Sequence, residues 1–269
     1  MNSRNQAVMI TGATDGLGSA VAFDLASKGY KLILHGRDEK KGNALLEDLQ
    51  SKTGNKDLVY YNADFASLEA IKSLARTVLE NHEHLNVLVN NAGLGVEPVR
   101  RVSKDGYEMI FQVDYLSTYM LTKLLIPLLE ASTPSRIINV ASAGQAPINF
   151  ADPMLEKHWD GTQSYCQAKL AQIMLAVEWG PSLGQKGVTI NSLHPASYMP
   201  TKIVTPYFRP QSTLAEGVAA VINLVTNPKL DHVSGKYFNR QTETRAQSQA
   251  YDPQARTRLI ELSAEWTGV

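Results

Sequence analysis

Apolar residues along this 269-residue chain gather into short unbroken runs separated by longer mixed stretches. The runs AVMIT (7–11), KLILHG (31–36), LVYYNA (58–63), NVLVNN (86–91), RIINVAS (136–142) and VTINSLH (188–194) fit strands buried on both faces. GKYFN (235–239) adds a short seventh. Helical stretches fill the intervals at 17–28, 38–52, 67–82, 105–131, 165–180 and 213–227, and 252–266 supplies a last helix that packs on the outside. Regular alternation of this kind predicts an α/β fold: a seven-stranded, mostly parallel, doubly wound sheet with helices on both faces and right-handed crossovers. No repeat, low-complexity segment or linker divides the chain, so residues 1–269 are expected to form a single domain. The irregular stretches 94–103, 143–162 and 195–212 each follow the C-terminal end of a strand, where open α/β sheets bind ligands.

Composition narrows the class. A hydrophobic content of 43% permits a large core and excludes disorder. A net charge of zero, without a basic stripe, gives nucleic-acid binding no electrostatic support. The single cysteine, Cys166, forms no internal disulfide, which fits a reducing compartment. The opening MNSRNQAVMITG enters the first strand directly and leaves no room for a signal peptide, and no apolar run approaches a membrane span. The expectation is a cytoplasmic protein with no membrane partner. His82, His84, His158 and His232 lack ligand spacing, so no metal site is proposed.

At the first strand-helix junction stands Thr11-Gly-Ala-Thr-Asp-Gly-Leu-Gly18. Gly12 permits the tight turn, Gly16 lets the backbone approach a pyrophosphate, and Gly18 allows close helix-sheet contact, while the helix N-terminus faces the negative charge. Thr14, Asp15 and Leu17 complete the loop. The spacing is Gly-x-x-x-Gly-x-Gly, unlike the Gly-x-Gly-x-x-Gly of most dinucleotide folds. An acid at the end of the second strand would select NAD; His35-Gly36-Arg37 stands there instead. Gly36 leaves space and Arg37 offers a planar cation suited to a 2′-phosphate, which favours NADP(H) over NAD(H). Asp38 reads as the cap of the next helix. Asp15 counts the other way by adding negative charge near the phosphates.

Tyr-x-x-x-Lys occurs three times, at Tyr119/Lys123, Tyr165/Lys169 and Tyr198/Lys202. Average composition gives roughly half an occurrence by chance, so context must choose. Tyr119 lies in an apolar helical run and reads as a buried structural residue. Pro200 breaks the turn after Tyr198. Only Tyr165 begins a clean helix on which positions i and i+4 share a face. There the Lys169 ammonium, together with the positive charge of an oxidised nicotinamide, favours tyrosinate and lowers the phenol pKa from its usual value near 10 toward the working range. Ser142 leaves the fifth strand aimed into the same crevice, where its hydroxyl can bond a carbonyl oxygen.

Together TGATDGLG (11–18), NNAG (90–93), Ser142, YCQAK (165–169) and HPA (194–196) resemble the short-chain dehydrogenase/reductase family over almost the whole chain. HGRDEKKG (35–42), YCQAKLAQIMLA (165–176), SGKYF (234–238) and QARTRLIELSAEWTG (254–268) are most similar to its retinol dehydrogenase-like, NADP-dependent reductases. The resemblance implies a Rossmann fold and an oxidoreductase in which Ser142, Tyr165 and Lys169 are catalytic. It further implies a cofactor held by the glycine loop, Arg37, Asp64, Phe65, Asn91, Ala92, Gly93, Tyr165, Lys169, Pro195, Ala196 and Thr201. Asp64 would contact the adenine ring, Asn90 would brace the central strand, and Lys169 would bond the nicotinamide ribose. His194 is structural in that branch.

The chain departs from the family at two places. FQVDYLSTYML (111–121) puts Asp114 where the family has an asparagine that supports a water relay to the lysine. An aspartate accepts but cannot donate as an amide does, and a buried anion needs compensation, for which Lys169 is the obvious partner. HPASYMPT (194–201) sets Thr201 one residue late for the nicotinamide amide.

The substrate loops carry Leu94, Val96, Ile148, Phe150, Met154, Tyr198, Met199, Tyr207 and Phe208 and few charges, which points to an apolar ketone or aldehyde. Two rivals share these motifs: a non-catalytic NADP-binding regulatory protein, and an enone C=C reductase on the same fold. A homodimer and a homotetramer are both open.

Overall fold

The computed structural model describes residues 6–205 and 208–269. Its strands are β1 (Ala7–Ile10), β2 (Lys31–Gly36), β3 (Leu58–Asn62), β4 (Val87–Asn90), β5 (Ser135–Val140), β6 (Val188–His194), β7 (Lys236–Asn239) and β8 (Thr242–Thr244). They form one sheet in the order β3-β2-β1-β4-β5-β6-β7-β8. The first seven run parallel, and β8 returns antiparallel with Glu243 opposite Phe238. The sheet therefore has one strand more than expected. Its residues Thr242, Glu243 and Thr244 are all exposed and polar, so no apolar run announces them.

Seven α-helices cover the two faces: α1 (Gly16–Ser27), α2 (Glu39–Thr53), α3 (Leu68–Asn81), α4 (Ser117–Ala131), α5 (Gly161–Gly184), α6 (Leu214–Thr226) and α7 (Pro253–Thr267). Alternation along each strand feeds two cores. Met9, Ile33, Leu88 and Ile137 point into the layer of α3, α4 and α5, while Val8, Ile10, Leu32 and Leu34 point into the layer of α1, α2 and α6. Polar caps fix where the helices begin. Asp15, Asp38, Ser67, Asp160 and Thr213 each accept from a backbone N–H of the first turn.

Two helix boundaries differ from expectation. The stretch 105–131 is not one helix: Val102 bridges to Glu108, Phe111–Leu116 is π-helical, and α4 follows. A π-segment inserts a residue into the helical register and re-aims the side chains around it, and Asp114 lies within it. α5 starts at Gly161, not 165, because Asp160 accepts from Gln163 N at 2.7 Å. Tyr165 thus sits in the second turn of α5, held from both sides.

The sheet reverses its winding between β1 and β4, which places the ligand crevice beyond their C-terminal ends. Thr11 stitches that junction. Its hydroxyl accepts from the backbone N–H groups of Asn91 and Ala92, both at 3.0 Å, while Asn91 Nδ2 donates to the carbonyls of Thr11 and Gly12 at 2.9 and 3.1 Å.

Candidate active site

The glycine loop is built as tightly as its spacing requires. Gly12 has φ 65°, and a Cβ there would lie 2.8 Å from Ala92 Cα. At Gly18 a Cβ would lie 2.3 Å from the Gly12 carbonyl, so α1 can approach the sheet only with glycine. Gly16 has φ 53° and faces the Thr201 methyl, which places Thr201 against the start of α1. Leu17 turns inward with Met199 and Ala196. Asp15 accepts from Gly16 N at 2.8 Å and is ion-paired with Lys202. The Lys202 ammonium, with the Gly16 N–H, holds its carboxyl below the usual range. The negative charge that sequence placed near the phosphates is therefore already countered.

At the far end of the crevice, Gly36 leaves no open space, contrary to expectation. A Cβ there would meet Thr14 Cγ2 at 2.8 Å and the Tyr60 hydroxyl at 2.9 Å. Glycine serves packing, and Arg37 after it is exposed and has no ion pair among the described residues. Asp38 caps α2 as expected, accepting from Lys41 N at 3.0 Å. Asp64 accepts from Ala66 N and pairs with Lys104 at 3.0 Å. The Phe65 ring is buried and stacked on His35, centroids 4.2 Å apart. His35 bonds the Ala63 carbonyl through Nε2, and burial pushes its pKa down to about 4, so it stands neutral.

Asn90 braces the sheet centre, donating to Asn139 Oδ1 at 2.9 Å and Thr122 Oγ1 at 3.0 Å. Beyond β6, Pro195 and Ala196 are buried, and His194 is buried with Nε2 3.0 Å from Ser197 Oγ. Burial lowers the His194 pKa, with Arg240 adding to it, in keeping with a structural residue. Tyr119, from the first rejected Tyr-x-x-x-Lys, is buried in the core. Tyr198, from the last, is exposed with φ 48°.

Ser142, Tyr165, Lys169 and Asp114 come together from β5, α5 and the π-segment. The Ser142 side chain lies near enough to the Tyr165 phenol to lower its pKa, and its Oγ accepts from Gly144 N at 3.0 Å. Lys169 Nζ lies 5.6 Å from the Tyr165 ring centroid. The Lys169 ammonium is 2.9 Å from Asp114 Oδ2, both groups almost wholly buried, while Asp114 Oδ1 accepts from Leu94 N at 2.7 Å. Gly93 adjoins this pair: a Cβ there would be 3.0 Å from Asp114 Oδ2 and 3.2 Å from Lys169 Nζ.

The electrostatics correct one expectation. Tyr165 is held above, not below, its ordinary pKa. Burial dominates; the Lys169 ammonium and the Ser142 side chain pull down, and the Asp114 carboxylate pushes up. Burial likewise raises Asp114 against the pull of Lys169. For Lys169, burial favours the neutral amine, but Asp114 and Tyr165 outweigh it and keep the ammonium above its usual range.

The apolar loop residues divide. Ile148, Met154 and Met199 are buried in the cores; Met199 fills the space at Gly217 between α1 and α6. Leu94 and Phe150 are half-buried at the edge of the core, and Val96, two residues after Leu94, is half-buried as well. Tyr198 and Phe208 are exposed and pack ring to ring, 4.9 Å between centroids. Tyr207 lies outside the described residues. A cavity of about 580 Å³ opens between the end of α5 and β7–β8, but none of Ser142, Tyr165 or Lys169 lines it. Chemistry, not depth, marks the site.

A family model described as short chain dehydrogenase matches residues 6–211. The chain belongs to the short chain dehydrogenase family. It is accordingly an oxidoreductase. Retinol dehydrogenase 13 of Mus musculus is 34% identical over 97% of this chain and 84% of its own length. Among solved structures, an uncharacterized protein from Mycobacterium paratuberculosis superposes with a TM-score of 0.82 at 23% identity, covering 98% of this chain and 94% of the other. A short chain dehydrogenase from Escherichia coli, complexed with NADPH, has a TM-score of 0.73 at 24% identity, covering 89% of this chain and 98% of its own. No helix among the described residues is long and apolar enough to cross a membrane, and no group there could hold a metal ion.

Sequence reading missed two polar residues of this short chain dehydrogenase site. Glu108 is buried and accepts from Phe111 N, Ser164 Oγ and Trp159 Nε1 at 2.7, 2.7 and 3.2 Å, tying the 143–162 loop to the residue before Tyr165. Gln172 is wholly buried beside Lys169. Its i+3 spacing from the lysine, on one face of a helix, was the available signal.

Proposed function

We propose that the protein interconverts an apolar ketone or aldehyde and its alcohol, with NADP(H) as cofactor and Tyr165 as acid and base. One observation carries this reading: Ser142, Tyr165 and Lys169 meet at the C-terminal ends of the parallel strands, next to a glycine loop that no larger residues could form. The chain's own residues fit a dinucleotide. Gly12 and Gly16 turn the backbone with positive φ at the N-terminus of α1, where N–H groups favour phosphate, and exposed Arg37 offers a fork to a 2′-phosphate. The NADPH in the E. coli structure supports the same choice.

When bound, the nicotinamide supplies or accepts the hydride. The Ser142 hydroxyl orients the substrate oxygen toward Tyr165. In reduction the phenol gives its proton to that oxygen as the carbonyl carbon becomes an alcohol carbon, and the tyrosinate left behind is stabilised by Lys169. Oxidation runs the same proton back. The raised pKa of Tyr165 keeps the phenol protonated near neutrality, the state from which it donates in reduction. Leu94, Phe150 and Tyr198 bring apolar surface toward the substrate end. The test is NADPH oxidation against a panel of hydrophobic ketones, aldehydes and enones. Turnover of ketones or aldehydes that Tyr165→Phe abolishes is the expected result. Equal turnover by Tyr165→Phe overturns the assignment, and turnover confined to enones moves the chemistry to a C=C bond.

A further inference from the structure

In the family arrangement an asparagine at the position of Asp114 supports a water relay to the lysine; here a glutamine side chain spans Asp114 and the lysine. Gln172 Nε2 donates to the main-chain carbonyl of Asp114 at 2.8 Å and to Thr118 Oγ1 at 3.0 Å. Thr118 Oγ1 donates to the same Asp114 carbonyl at 2.9 Å. That oxygen thus already accepts from two side-chain donors, which is the capacity of its lone pairs. Gln172 Oε1 in turn lies 3.4 Å from Lys169 Nζ. The ammonium's other acceptors are Asp114 Oδ2 at 2.9 Å and the Val140 carbonyl at 3.3 Å. An ammonium has three donors, and three protein oxygens face it. The backbone of Gln172 is fixed as well, its carbonyl accepting from Asn139 Nδ2 and Ser192 Oγ, both at 3.1 Å.

We propose that Gln172 is a positioning residue for this reaction: its carboxamide bridges the Asp114 carbonyl and the Lys169 ammonium directly, and aims Lys169. Gln172 touches neither the phenol nor Ser142, so it acts through the lysine. The bridge needs both ends of an amide, a donor toward Asp114 and an acceptor toward Lys169. Neither a carboxylate nor an apolar chain of the same length supplies both. The Gln172 contact is the longest of the three on Nζ, and it is the one the lysine can release to turn toward a ribose hydroxyl.

The inference rests on the reading of Tyr165 and Lys169 as the reacting pair, and its test separates the two. Gln172→Met keeps length and burial but not hydrogen bonding. It is expected to lower kcat about tenfold, the worth of one hydrogen bond, and to weaken NADPH binding in a fluorescence titration without substrate, with the substrate KM little changed. Gln172→Glu still accepts from Lys169 but adds an anion to a cluster whose charged and titratable members are Asp114, Lys169, Tyr165 and Cys166, with Glu108 acting on Asp114. It is expected to move the Tyr165 limb of the pH-rate profile upward, which a residue that only fills space would not do. Thermal melts identify folded variants; should Gln172→Met fail to fold, Gln172→Asn, whose amide is one methylene short, takes its place. Wild-type kcat, NADPH affinity and pH profile in the folded variants overturn the proposal. If instead Tyr165→Phe stays fully active while Gln172→Met weakens NADPH, the catalytic reading fails and the positioning of Lys169 stands.

Discussion

Asp114 Oδ2 and Lys169 Nζ stand 2.9 Å apart in the interior, an anion facing the cation that lowers the pKa of Tyr165. A lysine alone would favour tyrosinate; a lysine matched by a carboxylate favours it far less. The pair is held in place because Asp114 also accepts from Leu94 N, which ties it to the loop after β4. Charge balance at this point modulates a phenol pKa that burial raises.

The first prediction follows from that sign. Reduction needs the phenol, so its rate should hold through neutral pH and fall as pH rises through the raised pKa of Tyr165. Oxidation needs tyrosinate and should climb over the same range. Asp114→Asn removes the anion that disfavours tyrosinate, so both limbs should move to lower pH, by roughly one unit, with most activity kept. Asp114→Leu should lower turnover as well, because the Lys169 ammonium loses its buried partner. Profiles of kcat/KM against pH in both directions read this out. Unchanged limbs in both variants would make Asp114 a helix residue with no part in the chemistry.

Cofactor preference turns on Arg37. Its guanidinium is exposed and has no ion pair among the described residues, so it is available to a 2′-phosphate at little cost. A charge-assisted pair of this kind contributes roughly 1.5–3 kcal/mol. Arg37→Ala should therefore weaken NADPH about ten- to hundredfold and leave NADH nearly unchanged, as measured by fluorescence titration. Equal losses for both cofactors would mean that Arg37 is merely solvated.

Much of this was legible in the chain. Buried parallel strands declare themselves as apolar runs, and the glycine loop and Tyr165/Lys169 are local patterns with local reasons. β8 was not legible, because an exposed three-residue edge strand has no apolar signature. The π-segment was not legible either: FQVDYL is as apolar as the helix it interrupts, and its register depends on packing against α5. Hydrophobicity does not say whether a loop side chain faces a substrate or its own core, and Ile148 and Met199 are buried in the two cores. The rise in the Tyr165 pKa depends on the depth of burial and on Asp114, and no spacing rule gives either. Glu108 and Gln172 belong to the same class, since their value lies in partners 3 to 58 residues away.

Glu108 gives the last prediction. One carboxylate oxygen accepts from Phe111 N and Ser164 Oγ, and the other accepts from Trp159 Nε1, so three donors converge on an acceptor-only group. Glu108→Gln keeps the shape but turns one oxygen into a donor. If the amide oxygen serves Phe111 and Ser164, its NH2 faces the Trp159 N–H, and that contact becomes repulsive. The loss should cost about 1–3 kcal/mol, which lowers the melting temperature by several degrees in a chain of this size. Trp159 sits in the substrate loop and Ser164 immediately precedes Tyr165, so the substrate KM should rise more than kcat falls. Limited proteolysis should cut faster within 149–160. A melting temperature and KM equal to wild type would show that Glu108 does not fasten the loop.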